Sequence, residues 1–390
     1  MKILKMKYSN SYGVYKVMLK GENIKGYRIL EDFKVAGGMS KISFAEREGK
    51  TYFIKEFLAP KYPTPDSPGS ERIKEQKRKA CDAFEKHHRD LNNAIGKCCA
   101  GTGGNLIYAL NFFRNGASYY KVTEKIDISS FPCDSIARLP LEKILLIAKS
   151  AVHSIRILHS LKIVHGDLKP DNLPIKEAAR GYVVKLIDFD DSYFEGNPPH
   201  DRENLVGTPE YYSPEQAAYI MDEDEEIEGS TLTCKSDIFT LGIIFSEYFT
   251  GEKPILPSEY KTTWTCVSDG KTVSFKKKLH PRIEELIRKM LSLNPNNRPS
   301  ISEVFNVLKD IKPGEASPLV EKAGEEPKKA GLRFGPGLRP SGTKGVPPSG
   351  APRPKAPEIG TRTPKIPEEP RPSTSGSGLR GSGLKIADKE

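Results

Sequence analysis

Between residues 27 and 57, apolar and polar positions alternate in three short runs, YRIL, KISFA and TYFIKEF, separated by AGGMS and EREGK. A period of two marks half-buried strands, and the glycines give the backbone freedom that tight turns need, so the pattern predicts a small antiparallel sheet. The following stretch, APKYPTPDSPG at 59–69, carries four prolines that each remove a backbone donor, which predicts neither a helix nor a central strand. Ser70 is placed to cap a helix over ERIKEQKRKACDAFEKHHRDLNNAI, where Phe84, Leu91 and Ile95 recur at helical spacing.

A second strand pair is predicted over NLIYALNFF and SYYKVTEKI, split by RNGA, and the pattern then changes. LEKILLIAKSAVHSIRILHSL at 141–161 shows the three- and four-residue spacing of a core helix, KLI followed by DFDDS reads as a further strand pair, and RIEELIRKMLSL and SEVFNVLKDI close a helical region near Lys312. A strand-rich part followed by a helix-rich part predicts an α+β protein with two lobes. The acidic insert DEDEEIEG at 222–229 interrupts the helical part and is expected to be a solvated loop.

Composition changes sharply after Lys312. Residues 313–390 hold 14 of the 31 prolines, many glycines and serines and almost no aromatics, so they cannot bury enough apolar surface to offset chain entropy. The expected organisation is an N-terminal extension at 1–26, one domain at 27–312 (small lobe 27–126, large lobe 127–312) and a disordered basic tail at 313–390. GLRFGPGLRP and GSGLRGSGLK in that tail are loose echoes of each other rather than structural repeats.

Charge and cysteine content narrow the function classes. A net charge of +10 favours association with phosphates or acidic partners, but it does not identify nucleic acid as a partner, and we expect none. No run approaches the ~18 uncharged residues of a membrane span, and the N-terminus lacks a signal-like apolar run. The six cysteines are scattered, with only the adjacent Cys98 and Cys99 close together, so reduced thiols in a cytoplasmic protein are expected rather than disulfides or zinc.

The stretch HGDLKPDN at 165–172 collects histidine, aspartate, lysine and asparagine around a stiffening proline, directly after the long core helix. Turn-forming residues alone would allow a surface loop. A second aspartate, Asp188, follows KLI, and together these groups suit phosphoryl transfer, which needs metal-bound phosphates, a lysine on the transferred group and a carboxylate on the attacking hydroxyl.

With those residues in view, the chain resembles the protein kinases, specifically the bacterial serine/threonine kinases that share the eukaryotic fold. Five segments between about 27 and 311 carry the likeness in order: HGDLKPDN, IDFD, GTPEYYSPEQ, SDIFTLGIIFSEYFTGEKP and NPNNRPS. The resemblance implies the bilobal kinase fold, with an N-terminal antiparallel sheet lobe carrying one helix and a mainly helical C-terminal lobe. It implies ATP as phosphate donor with Mg2+, or Mn2+ in its place, and protein serine and threonine hydroxyls as acceptors, the chain's own included. Asp167 would orient the acceptor hydroxyl and take its proton, Lys169 would meet the γ-phosphate, and Asn172 and Asp188 would hold the metal. Lys55 would pair the α- and β-phosphates and be held by a helix glutamate, Glu85 being favoured over Glu75 because it adjoins the core residue Phe84. Gly37 and Gly38 would approach the phosphates. Thr123, Glu124 and Ile126 would line the adenine site, Thr208 would bridge Asp167 and Lys169, Glu215 would pair with Arg298, and Asp237 would hold the catalytic-loop backbone. His165 is expected to anchor that loop rather than to react.

Three departures from the family pattern stand out. VAGGMS at 35–40 replaces two glycines of the phosphate loop and should stiffen it. DFD at 188–190 puts a charged side chain, Asp190, where the family has glycine, which should either stiffen the segment or attract metal. Gly166 replaces the arginine that would read an activation-loop phosphate, so activity independent of that phosphate is expected. A nucleotide-binding pseudokinase or scaffold stays open as the alternative, with a small-molecule kinase behind it. Ser317, Thr361, Thr363 and Ser373 of the tail are candidate autophosphorylation sites that a phosphothreonine-reading partner would recognise.

Overall fold

A computed structural model of the chain describes residues 19–36, 40–99, 104–126, 131–178, 181–199, 202, 205, 207–222 and 226–312. The first lobe is built on strands β1 (Asn23–Ile24), β2 (Tyr27–Ile29), β3 (Lys34–Ala36), β4 (Ser40–Arg47) and β5 (Lys50–Phe57), helix α1 (Glu71–Cys99), and strands β6 (Leu106–Ile107), β7 (Ala109–Asn115) and β8 (Ser118–Glu124). The second holds α2 (Cys133–Ile136), α3 (Leu141–Ser160), β9 (Ile163–Val164), β10 (Ile175–Ala178), β11 (Gly181–Val184), β12 (Leu186–Ile187), β13 (Tyr193–Phe194), α4 (Pro214–Met221), α5 (Cys234–Thr250), α6 (Thr263–Ser268), α7 (Pro281–Met290) and α8 (Ile301–Asp310).

The alternating segments form an antiparallel sheet ordered β1-β2-β4-β5-β8-β7, with β3 paired to β4. Residues 23–24, placed in the N-terminal extension by sequence, pair with Arg28 and Tyr27 and so begin the sheet. The β5–β8 register sets Lys55 directly opposite Lys121, two like charges on neighbouring strands that would repel unless an acid is shared between them.

Helix α1 starts where Ser70 Oγ accepts from Ile73 N at 3.4 Å, satisfying one of the free first-turn donors. Its first half joins the sheet through a ring cluster of Phe57, Phe84, Phe112 and Tyr119 around buried Cys81, while Leu91 and Ile95 enter the core of the helical lobe. One helix therefore reports to both lobes.

NLIYALNFF is two elements rather than one strand. Leu106 and Ile107 leave the main sheet and pair in parallel with Leu186 and Ile187, and only 109–115 joins β8. DFDDS likewise is not a strand: Asp188 has φ +60°, which ends β12 in a turn, and the chain resumes as β13 against β9. The β9–β13 pair thus lays the segment that starts at His165 alongside the segment that starts at Asp188.

Helix α5 is buried over nearly its whole length, as its apolar run predicts, and stops at Gly251 in the left-handed region with φ +90°. The 222–229 insert is less simple than a solvated loop. The Asp222 carboxylate accepts from Arg202 at 2.8 Å and from Ile227 N at 2.6 Å. The predicted phosphate-loop glycines Gly37 and Gly38, and the tail at 313–390 with its candidate phosphosites, lie outside the described residues.

Candidate active site

The loop between β9 and β10 is held before it does any chemistry. Asp237, in the first turn of α5, accepts from His165 N at 2.8 Å and Gly166 N at 3.3 Å, and pairs with His159 Nε2 at 2.9 Å. Gln216 Nε2 donates to the Gly166 carbonyl at 2.7 Å, and Ser192 Oγ donates to the His165 carbonyl at 2.9 Å. His165 is fully buried, with Nε2 3.0 Å from the Ile187 carbonyl, which is the anchoring position expected of it. Gly166 sits at φ +82°, and a Cβ there would stand 2.2 Å from the Asp191 carbonyl oxygen. No residue with a side chain fits that position unless the backbone moves.

On this support Asp167, Lys169 and Thr208 form a closed triangle. Lys169 Nζ lies 2.6 Å from Asp167 Oδ2 and 2.9 Å from Thr208 Oγ1, and Thr208 Oγ1 donates to Asp167 Oδ1 at 2.8 Å. Asn172 Nδ2 donates to the Asp167 carbonyl at 2.7 Å and approaches its carboxylate at 3.2 Å, which fixes the rotamer of a nearly buried acid. Arg298 and Glu215 make a fork of two bonds at 2.6 and 2.8 Å, tying α4 and the segment that delivers Thr208 to the end of the helical lobe.

Across the cleft the sequence-based expectation fails at one point. Lys55 pairs with Asp188 at 3.0 Å and with Asp190 at 2.6 Å; neither helix glutamate reaches it. Glu85 pairs with Arg89 at 2.5 Å and Glu75 with Arg78 at 2.9 Å. The cause is helical phase. The face that α1 turns toward the cleft carries Phe84 and His88, one turn apart, and Glu85 lies about 100° round from Phe84. Lys121 completes a square of two cations and two anions, bonding Asp188 at 3.1 Å and Asp190 through a very short contact.

Electrostatics follow that square. Desolvation opposes charge on Asp188, but Lys121 and Lys55 outweigh it and hold the carboxyl well below its ordinary range. Desolvation likewise opposes charge on Lys55, and Asp190 with Asp188 more than restores it. At Asp191 the pull of Lys55 is outweighed: desolvation first, then the carboxylates of Asp167, Asp190 and Asp188, push it up to about 7. Burial among aromatic rings pushes His88 down to about 3.

A cleft of about 660 Å³ joins the two halves. Thr123, Glu124 and Ile126 line it with Lys55, Asp167, Lys169 and Asp188, so these predicted residues converge, and the unpredicted Lys121 joins them. The Asp188 carboxylate and the Asn172 amide oxygen are oxygen donors alone, a set suited to a hard divalent ion such as magnesium rather than to zinc. Lys121 was missed by sequence reasoning, although a lysine inside the apolar run SYYKV was a visible signal. The pairing of Asp190 with Lys55 had no local signal, because it joins residues 135 positions apart.

Comparisons with known proteins agree with this geometry. The protein kinase domain model matches residues 74–308. A protein of Acanthamoeba polyphaga mimivirus assigned to the serine/threonine kinases is 31% identical over 202 residues, covering 50% of this chain and 67% of that protein. Mouse serine/threonine-protein kinase PLK2 is 31% identical over 157 residues, 40% of this chain and 21% of its own length. The serine/threonine kinase PknA of Corynebacterium glutamicum is 35% identical over 118 residues, 30% of this chain and 22% of its own. The chain thus spans about a fifth of the length of the latter two, and relatives from a virus, an animal and a bacterium do not carry the expected bacterial origin. Fold, catalytic-loop geometry and sequence likeness converge: the chain belongs to the protein kinase family, has its bilobal α+β fold, and has serine/threonine kinases as its relatives.

Proposed function

We propose that this chain transfers the γ-phosphate of ATP to serine and threonine hydroxyls of proteins, without needing an activation-loop phosphate. The observation that carries the reading is the Asp167–Lys169–Thr208 triangle facing Lys55 and Asp188 across one cleft. Asp167 is held by Asn172 and Thr208 in one rotamer, poised to accept a hydroxyl proton, and Lys169 stands where charge on the transferred group would develop. Thr208, bonded to both Asp167 and Lys169, is the feature that favours serine and threonine acceptors. Asn172 and Asp188 would hold magnesium, which when bound would neutralise phosphate charge. Lys55 would orient the phosphates, and Thr123, Glu124 and Ile126 the adenine.

Independence from phosphorylation is supported at two points. Gly166 leaves no room for a phosphate-reading arginine, and Arg202 is already saturated by the Tyr219, Asp222 and Ile227 carbonyls and the Asp222 carboxylate. The scattered spacing of the six cysteines, which suits reduced thiols, supports a cytoplasmic setting. A phosphorylated tail read by a phosphothreonine-binding partner belongs to the same proposal, resting on the tail's sequence alone.

Labelled γ-phosphate transfer from ATP with magnesium or manganese tests the reading, comparing the intact chain with Asp167→Ala and Lys55→Met. Phosphoserine or phosphothreonine that vanishes in both variants and survives phosphatase pretreatment is expected. Nucleotide binding without transfer under either metal would overturn it.

A further inference from the structure

We propose that Asp190, not a glutamate of α1, is the positioning residue for Lys55, and that Lys121 is its built-in counterpart. The inference rests on the kinase reading of the cleft and concerns how its lysine is held.

Three features that look unrelated in sequence are one device in space. The β5–β8 register places Lys55 and Lys121 side by side, both largely buried at 13% and 8% side-chain exposure. Two ammonium groups cannot share such a site without a shared acid. Asp190, itself only 14% exposed, bonds both of them. Asp188 bonds both as well, but it is the residue assigned to the metal, so its oxygens are committed when the site is loaded. Asp190 is the acid that stays with the lysines. The third feature is the empty role on α1: Phe84 and His88 face the cleft, and Glu85 is engaged by Arg89.

The consequence is regulatory. A lysine held by a helix glutamate is aligned only when the helix is docked. A lysine held by Asp190, two residues beyond Asp188, is aligned by the same segment that brings the metal-binding carboxylate. Alignment of Lys55 is then set by the 188–191 turn and is insensitive to the position of α1.

The test is the affinity for a fluorescent ATP analogue with magnesium, read beside kcat and KM for ATP, in Asp190→Asn, Asp190→Glu and Glu85→Ala. Losing one charge-assisted bond to Lys55 should weaken nucleotide binding in Asp190→Asn by about tenfold or more. The effect should fall on KM more than on kcat, with most of the loss restored in Asp190→Glu. Glu85→Ala should bind within about twofold of the parent. Asp190→Asn binding like the parent, or Glu85→Ala losing as much as Asp190→Asn, overturns the proposal. Should Asp190→Asn fail to fold, Glu85→Ala still decides, because a tenfold loss there overturns it and parental binding supports it. Binding is read without turnover, so a parent chain that binds nucleotide but transfers no phosphate would sink the kinase reading and leave this test intact.

Discussion

The two sides of the cleft were built from the same kinds of residue, yet one obeys the family pattern and the other does not. On the catalytic-loop side, eight consecutive residues and their anchors, Asp237, Thr208 and the Glu215–Arg298 pair, form the network the motifs implied, and Gln216 adds a bond the motifs did not foretell. On the lysine side, Lys55 has changed partner from helix to turn. The difference teaches where covariation of roles is allowed. The Asp167 carboxylate must meet a substrate hydroxyl, so its position is set by chemistry. Lys55 needs an acid of suitable geometry, and any element that supplies one satisfies it.

The largest effect should come from Asp167→Asn, which removes the proton acceptor and strands Lys169 beside Thr208. A loss in kcat of about 10²–10⁴ is expected, from the usual contribution of a positioned base, while affinity for nucleotide is kept. Parallel transfer and nucleotide-binding assays check it. A variant that lost affinity as steeply as turnover would merge the two sides into one unit and end the comparison. Next in size is Arg298→Ala. Its guanidinium is fully buried and forked onto Glu215, so the variant leaves a carboxylate with no counter-charge. Breaking such a pair costs about 3–5 kcal/mol, which urea unfolding should show as a lowered midpoint at unchanged slope.

How much of this was legible beforehand divides along the same line. HGDLKPDN, Asp188, Thr208, Glu215, Arg298 and Asp237 could be placed because each sits in a short motif whose neighbours set its direction. The sheet, the core helices and their order followed from periodicity. The error at Glu85 came from phase: a proline-rich loop precedes α1, and nothing in residues 59–69 says which face of a 29-residue helix will turn inward. Phe84 and His88 won that face because rings pack against Phe57 and Phe112, and apolar burial outweighs one ion pair. The DFDDS turn was misread as a strand because β12 is only two residues long and its partner β6 lies 80 positions earlier, a pairing that no window of sequence contains.

A smaller effect sharpens the catalytic-loop side. Gly166→Ala places a methyl group 2.2 Å from the Asp191 carbonyl oxygen at φ +82°, so the loop or the 188–191 turn must shift. Strain of this kind costs about 1–3 kcal/mol, and because Asp191 adjoins Asp190, nucleotide affinity should fall together with stability. A stable variant with parental kinetics would mean that the loop backbone is freer than its bonds to Asp237 and Gln216 imply.

The smallest effect belongs to His88 and is visible only as a pH dependence. Buried against Phe84 and Phe112 with ring centroids 4.3 and 5.0 Å away, its imidazole is pushed down from 6.5 to about 3, chiefly by desolvation. The folded chain therefore keeps His88 neutral while the unfolded chain protonates it below about 6.5, so the unfolded state binds the extra proton. Stability from this group is complete above about 6.5 and is lost as the pH falls toward 3, with a slope of up to about 1.4 kcal/mol per pH unit. His88→Phe keeps a ring in the cluster and removes the proton, so its unfolding free energy should fall less steeply between pH 6 and 4 than the parent's, by about that slope. Urea titrations at several pH values compare the two profiles. Parallel profiles would show that the imidazole is charged or solvated in the folded chain, and with it that the inner face of α1 is polar enough to have taken the glutamate that Lys55 does without.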